Sequence, residues 1–344
     1  MYECSIKSST RVDLAGGLLD IWPVYALVPD CFVLNFSIPV FTSVKLRYSS
    51  ELQLSCEGGP PIDISVFSPS GSYKNSFTRL NDLLKDSSDE LSLLKKHLEY
   101  WKGYFPREQI FLKSIYLRSE SPIGGGLGAS SSLCVGLAKV LSSVFKQELR
   151  KKELLMLCRD LETSLLHAPA GIQDYIPAIE EDPGFLYTIE CMSSGPKWNR
   201  KKIPSDFFAD HFLLVDTGKS HHSGNNNWEI LKKIIEKDQD ILNGIYQLRD
   251  NALKTVEICD QENWSDLFVY VNKEQELRGR YFSNWLNPSV SSLIGLMRSH
   301  GAKAAKLCGA GGGGCLLVLA ENQKHKQELE QVCEKNKISI VMNW

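Results

Sequence analysis

Four glycines and three hydroxyls crowd into Pro122-Ile123-Gly124-Gly125-Gly126-Leu127-Gly128-Ala129-Ser130-Ser131-Ser132. Glycine opens dihedrals closed to other residues and lets amide N–H groups approach a ligand. A helix starting here would add unpaired donors and the positive end of its dipole. Together these make a cradle for phosphate, and the hydroxyls of Ser130, Ser131 and Ser132 could coordinate a cation. The run is not a Walker loop, because G-x-x-x-x-G-K-[ST] demands a lysine and none lies between Pro122 and Ala138. A turn with an N-capping serine explains one glycine and one serine of this run but not the rest.

A cradle alone transfers nothing: charge on the moving phosphoryl group must be neutralised, and the attacking hydroxyl positioned and deprotonated. Two acids are placed for such work. Asp174 ends the Gly/Pro loop Ala168-Pro169-Ala170-Gly171-Ile172-Gln173-Asp174, where a carboxylate could project into a cleft. Glu162 lies on a predicted helix, where a solvated face is the plain alternative. Arg11 could stabilise transferring charge, or be an ordinary surface arginine. Asp20 could accept hydrogen bonds from polyol hydroxyls, or cap a turn before Pro23. The segment Asp216-Thr217-Gly218-Lys219-Ser220-His221-His222-Ser223 offers hydroxyls, a cation and imidazoles, with a plain exposed loop the alternative. Adjacent His221 and His222 diverge on most backbones, which argues against a metal site there.

The surrounding pattern supplies the elements that must hold these residues. Phe32 to Tyr48 reads as strands, alternating at Thr42 to Tyr48, with turn formers following at Gly58 to Pro61 and Ser68 to Ser72. Leucines at 80, 83, 84, 91, 94 and 98 predict one or two amphipathic helices within Asn75 to Tyr104, and Ile110 to Leu117 returns to strand. Ser130 to Phe145 and Glu153 to Leu166 have helical spacing. After a basic, polar stretch from Lys197 to Ser205 come a strand at 212–218 and helices at 228–246, 247–271 and 288–299. The chain then continues with a glycine loop, a strand at 315–320, a helix at 323–335 and a last strand. The irregular mixture predicts an α+β fold, which we divide into 1–195 and 196–344.

Three segments in order carry a family resemblance. Pro122 to Ser132 resembles the P-x-x-x-G-L-G-S-S-A motif of the GHMP small-molecule kinases, which include galactokinase and the homoserine, mevalonate and phosphomevalonate kinases. Arg11-Val12-Asp13-Leu14-Ala15-Gly16-Gly17-Leu18-Leu19-Asp20-Ile21-Trp22-Pro23 resembles the family's N-terminal motif, in the form typical of the fucokinase and D-glycero-D-manno-heptose 7-phosphate kinase branch. Lys306-Leu307-Cys308-Gly309-Ala310-Gly311-Gly312-Gly313-Gly314-Cys315 resembles its C-terminal glycine motif.

The resemblance implies a two-domain fold with ATP in the inter-domain cleft. The amides of Gly124, Gly125, Gly126, Gly128, Ala129, Ser130, Ser131 and Ser132 would lie on its phosphates, and Mg²⁺ would be held by Ser130 and Glu162. Asp174 would be the base, with Arg11 beside it. Gly17, Asp20, Thr217, Gly218, Gly311 and Gly312 would border the acceptor, and the Gln173-Asp174 pair looks like that of the heptose kinase branch. Two departures stand out: Ala129 replaces the first of the usual paired serines, and Leu18-Leu19 stands where other sugar kinases are more polar or aromatic.

Composition agrees with small-molecule chemistry. The 344 residues carry 39 basic and 41 acidic side chains, a formal charge of -2 that gives no footprint for nucleic acid or an anionic membrane. No apolar run approaches the roughly 20 residues needed to cross a bilayer, and Met1 to Ser5 lacks the plan of a secretion signal, so a cytoplasmic setting is expected. Ten cysteines without a C-x-x-C point to reduced, buried thiols. The reading is an ATP- and Mg²⁺-dependent kinase of a sugar or sugar phosphate, in which the resemblance suggests the anomeric hydroxyl. An isoprenoid-pathway or amino-alcohol kinase, or an inactive ligand-sensing relative, are the alternatives.

Overall fold

In the computed structural model, which describes residues 1–49, 62–69, 71–107, 110–219, 223–282 and 285–343, the alternation at Thr42 to Tyr48 belongs to one long strand, Cys31–Ser49. The turn formers at 58–61, Cys56, Ser70 and the run 220–222 lie outside the described residues. Among the described residues eleven strands are arranged in two sheets. The first contains β1 (Tyr2–Ala15), β2 (Cys31–Ser49), β3 (Ile62–Ser68), β4 (Gly71–Phe77), β5 (Phe111–Ser119), β6 (Phe185–Cys191) and β7 (Lys197–Lys202). Its order is β4-β3-β5-β2-β6-β7, with β1 laid antiparallel along β2. The second contains β8 (Phe212–Asp216), β9 (Ala304–Leu307), β10 (Cys315–Leu319) and β11 (Ile340–Asn343), in the order β11-β8-β10-β9. The helices, in chain order, are α1 (Val24–Leu27), α2 (Leu80–Lys85), α3 (Ser92–Trp101), α4 (Tyr104–Arg107), α5 (Ala129–Val144), α6 (Lys151–Leu166) and α7 (Tyr175–Glu180). They continue with α8 (Ser205–His211), α9 (Ser223–Ile235), α10 (Gln239–Asp260), α11 (Trp264–Tyr281), α12 (Pro288–Ser299) and α13 (Gln323–Lys335). This is the α+β architecture expected.

Apolar side chains nearly all round α5 make it a core helix: Cys134, Val135, Leu137, Ala138, Val140 and Leu141 are buried. Gly136 lets it approach Val44 of β2, where a Cβ would stand 2.9 Å from a methyl carbon. Leu141→Ala would leave a cavity there and cost about 2–5 kcal/mol. The larger hydrophobic core runs from Val12 to Cys333 and takes in strands of both sheets.

Three readings are corrected. The basic stretch at 197–202, read as a connection, is the edge strand β7, paired with β6. Asn75 to Phe77, assigned to a helix, closes β4. Residues 228–271, read as two helices, belong to three, because the chain breaks at Lys237 and Glu262, both at positive φ. Asp238 caps the second, accepting from the N–H groups of Asp240 and Ile241 at 3.1 Å. The nine described cysteines are unbridged and all but Cys4 are buried, as expected.

Candidate active site

β5 delivers the chain at Ser119 and α5 takes it up at Ala129, with the glycine run between. Gly124, Gly126 and Gly128 all have φ between +66° and +71°. Gly128 is the N-cap of α5, so free amides and the positive dipole end of a 16-residue helix face out of the loop. The loop forms one wall of a cavity of about 640 Å³. Gly126 can be nothing larger, since a Cβ there would sit 2.5 Å from the carbonyl oxygen of Cys308. The C-terminal glycine motif thus packs backbone against backbone behind the loop, tied by the N–H of Cys315 donating to Gly125 O at 2.8 Å.

Beside the loop, β1 presents Arg11, whose own N–H donates to Leu127 O at 3.0 Å. Its guanidinium donates to Gly126 O and, through Nε at 2.8 Å and Nη2 at 2.5 Å, to a single oxygen of Asp174, Oδ1. Asp174 immediately precedes α7, without a side-chain capping bond to it, and stands against Gly128, where a Cβ would contact its side chain at 3.2–3.4 Å. Burial opposes the charge on Arg11, yet Asp174 and Asp13 outweigh it and raise its proton affinity.

Glu162 of α6 is no solvated face: it is 3% exposed and lines the same cavity. Its Oε2 accepts from Ser131 Oγ and from Tyr175 OH, each at 2.7 Å. Burial raises its proton affinity while the hydroxyls of Ser130, Tyr175 and Ser131 oppose that. Ser130 is exposed at the cavity and Ser131 lines it. Ser132 is turned the other way, its hydroxyl 2.7 Å from that of Thr42 and donating to Ser9 O at 3.1 Å, so it does not line the cavity.

Asp20 is buried in the cavity wall and accepts from the N–H of Gln173 at 3.0 Å. Burial, with Asp174 adding to it, pushes its carboxyl up to about 6. Gly171 makes room for it, since a Cβ there would lie 2.3 Å from Asp20 Oδ2. Gly17 also lines the cavity, whereas Gly311 and Gly312 do not. A Cβ on Gly311 would stand 2.3 Å from the Trp285 ring, and Gly312 N–H donates to Trp285 O at 2.8 Å. Gly309 and Ala310 reach the cavity in their place. Thr217 and Gly218 form a turn in which Asp216 Oδ1 accepts from Gly218 N–H at 2.9 Å, and neither lines the cavity.

Sequence reasoning missed the buried ion cluster behind this wall. Lys306 Nζ meets Asp13 Oδ2 at 2.5 Å, and Arg278 Nε donates to Glu274 Oε1 at 2.9 Å, with Arg278 Nη2 3.7 Å from Asp13 Oδ2. Burial opposes the charge on Asp13, but Lys306, Arg278 and Arg11 hold its carboxyl well below the usual range. Asp13 and Lys306 stood in the first and last motifs. Glu274 and Arg278, four apart on α11, carried no comparable signal.

Residues 92–181 match the family model described as the GHMP kinases N terminal domain, and residues 247–338 that described as GHMP kinases C terminal, together just over half of the chain. A mevalonate kinase of Thermococcus sibiricus is 24% identical over 303 residues, covering 84% of this chain and 82% of its own. A galactokinase of Thermosipho africanus is 20% identical over 344 residues, covering 92% and 89%. The crystal structure of a D-glycero-D-manno-heptose 1-phosphate kinase from Bacteroides thetaiotaomicron superposes with a TM-score of 0.70 at 17% identity, over 99% of this chain and 95% of that one. At such identity the structural likeness speaks for the fold.

Proposed function

The chain belongs to the GHMP kinases, and on that footing we propose that it transfers the γ-phosphoryl group of ATP to a hydroxyl of a sugar or sugar phosphate. The observation that carries this reading is the Arg11–Asp174 pair seated directly against the glycine loop that opens a buried helix, with pair and loop lining one cavity. Because both guanidinium bonds fall on Oδ1 of Asp174, Oδ2 is the oxygen left to accept a proton. In the transfer, the acceptor oxygen bonds to the γ-phosphorus and its proton goes to Asp174 Oδ2. The β–γ bridging bond breaks, and its electron pair leaves with ADP.

The fit for Mg²⁺ is a partial donor set. Among the described residues no group of three or more His, Cys, Asp or Glu could hold a metal alone. Glu162 is a buried carboxylate with only hydroxyl partners, beside Ser130 at the mouth of the loop. One carboxylate completed by phosphate oxygens is how Mg²⁺ is commonly held, and the bound ion would neutralise phosphate charge. Asp20 and Gly17 serve the acceptor in this reading. The heptose- and fucose-kinase resemblance, with the Gln173-Asp174 pair, favours a sugar and its anomeric hydroxyl. The alignment to a mevalonate kinase favours an isoprenoid alcohol as the second reading. A Mg²⁺-dependent ATP turnover assay over sugars, sugar phosphates and mevalonate tests both. Turnover with sugars supports the first reading, and turnover with mevalonate alone replaces it with the second.

A further inference from the structure

Gly16 to Ile21 forms a tight turn, with Leu19 N–H donating to Gly16 O and Ile21 N–H to Leu18 O. A Cβ on Gly17 would lie 2.0 Å from Arg278 Nη2, so the guanidinium stands where a side chain of residue 17 would be. Arg278 lines the cavity, is 1% exposed, and its Nη2 has no hydrogen-bond partner. Its plane is fixed over Trp285, 4.5 Å from the ring centroid, and by Glu274. Three residues along the same turn, Asp20 meets Gln173. The Gln173 Nε2 points to Asp20 Oδ1 at 3.4 Å, which leaves Oε1 as a buried acceptor without a partner on a residue only 7% exposed.

Among the residues lining the cavity are thus a guanidinium nitrogen and an amide oxygen without hydrogen-bond partners, and a carboxylate. A buried group left without its hydrogen bond is costly, and a ligand supplying the missing partner would recover that cost. Hydroxyls both donate and accept, so a neighbouring pair of them can satisfy all three; a phosphate or an ionised carboxylate only accepts. Such an anion would suit Arg278 but would set its oxygens against Gln173 Oε1 and Asp20. Nor has Arg278 charge to spare. Asp13 and Glu274 already balance Lys306 and Arg278 in the buried cluster.

We propose that this end of the cavity seats a neutral polyol, a sugar bearing neither phosphate nor carboxylate, and that Arg278 and Gln173 are the residues that discriminate it. The proposal rests on the kinase reading above and narrows its acceptor. The test compares kcat and KM for galactose, mannose and a mannoheptose with those for galactose 6-phosphate, mannose 6-phosphate, the heptose 7-phosphate and mevalonate. Wild-type protein, Arg278→Lys, which keeps the charge of the cluster, and Gln173→Met are compared with ATP and Mg²⁺. The expected result is turnover of at least one neutral sugar in preference to its anionic counterpart. In both variants KM for that sugar should rise on the order of tenfold, the loss of one hydrogen bond, while KM for ATP stays put. Preference for an anionic acceptor overturns the proposal and leaves the kinase reading standing. So does an unchanged sugar KM in both variants. Failure to phosphorylate any alcohol of either class overturns the kinase reading, and the proposal with it.

Discussion

Replacing Asp20 by Asn should make the protein more stable at pH 8 and leave it unchanged near pH 4. The folded carboxyl is pushed from 3.8 up to about 6, chiefly by burial. With the folded value above the unfolded one, the native state holds the proton more tightly. The stability this contributes is therefore complete below about pH 3.8 and lost as the pH rises through about 6. A gap of about two units at about 1.4 kcal/mol per unit makes the loss about 3 kcal/mol, complete by pH 8. Asparagine has no charge to desolvate. Its oxygen can still accept from Gln173 N–H, and the Gln173 amide can turn over to offer its unpaired Oε1 to the new NH₂ group. At about 1.4 °C per kcal/mol for a chain of 344 residues, the gain in Tm at pH 8 comes to about 4 °C. Melting curves of both proteins at pH 4, 6 and 8 at constant ionic strength measure it. A difference that is flat with pH, or that favours the wild type at pH 8, refutes the claim that Asp20 is kept ionised in a buried wall at the expense of stability.

Other outcomes are equally specific. Asp174→Asn keeps an oxygen for Arg11 but puts an NH₂ group where the proton should go. Its kcat should fall on the order of 10²–10⁴-fold with ATP affinity nearly unchanged, and wild-type turnover would remove Asp174 as the base. Glu162→Gln can keep the bonds from Ser131 and Tyr175, so the fold should hold while the Mg²⁺ needed for half-maximal activity rises on the order of tenfold; an unaltered Mg²⁺ titration dismisses Glu162 as a metal ligand. Gly126→Ala meets both a positive φ, a strain of about 1–2 kcal/mol, and the Cys308 carbonyl. ATP affinity and Tm should drop together, and calorimetry showing normal ATP binding would contradict the glycine-loop assignment.

Where the chain's chemistry is periodic, the fold was legible. α12 and α13 begin and end where helical spacing puts them, and α5 opens at the last glycine of its loop. β1 was not legible, because Ser8, Ser9, Thr10, Arg11 and Asp13 are polar yet buried. Alternation marks a strand with one wet face, and this one has none along that half. The breaks at Lys237 and Glu262 were hidden because lysine and glutamate rarely take positive φ, so nothing in their type announces a helix end. In the site, residues that line the cavity with backbone announced themselves as glycine runs. Those that bring charge through a helix face, Glu274 and Arg278, look like any i,i+4 surface pair until β1 and β9 are laid over them.

Asp13 on the first strand finds Lys306 and Gly309 only 293 and 296 positions later along the chain. At about 5–20 residues per second, a ribosome takes roughly 15–60 s to supply them. Until then the ionised Asp13 carboxylate on β1 has no cation partner from that motif, although the strand already has its ladder to β2. Arg11, two residues before Asp13 on the same strand, finds its own partners in Gly126, Leu127 and Asp174, all made long before Lys306, so the acid of this strand is the last of its charges to be answered.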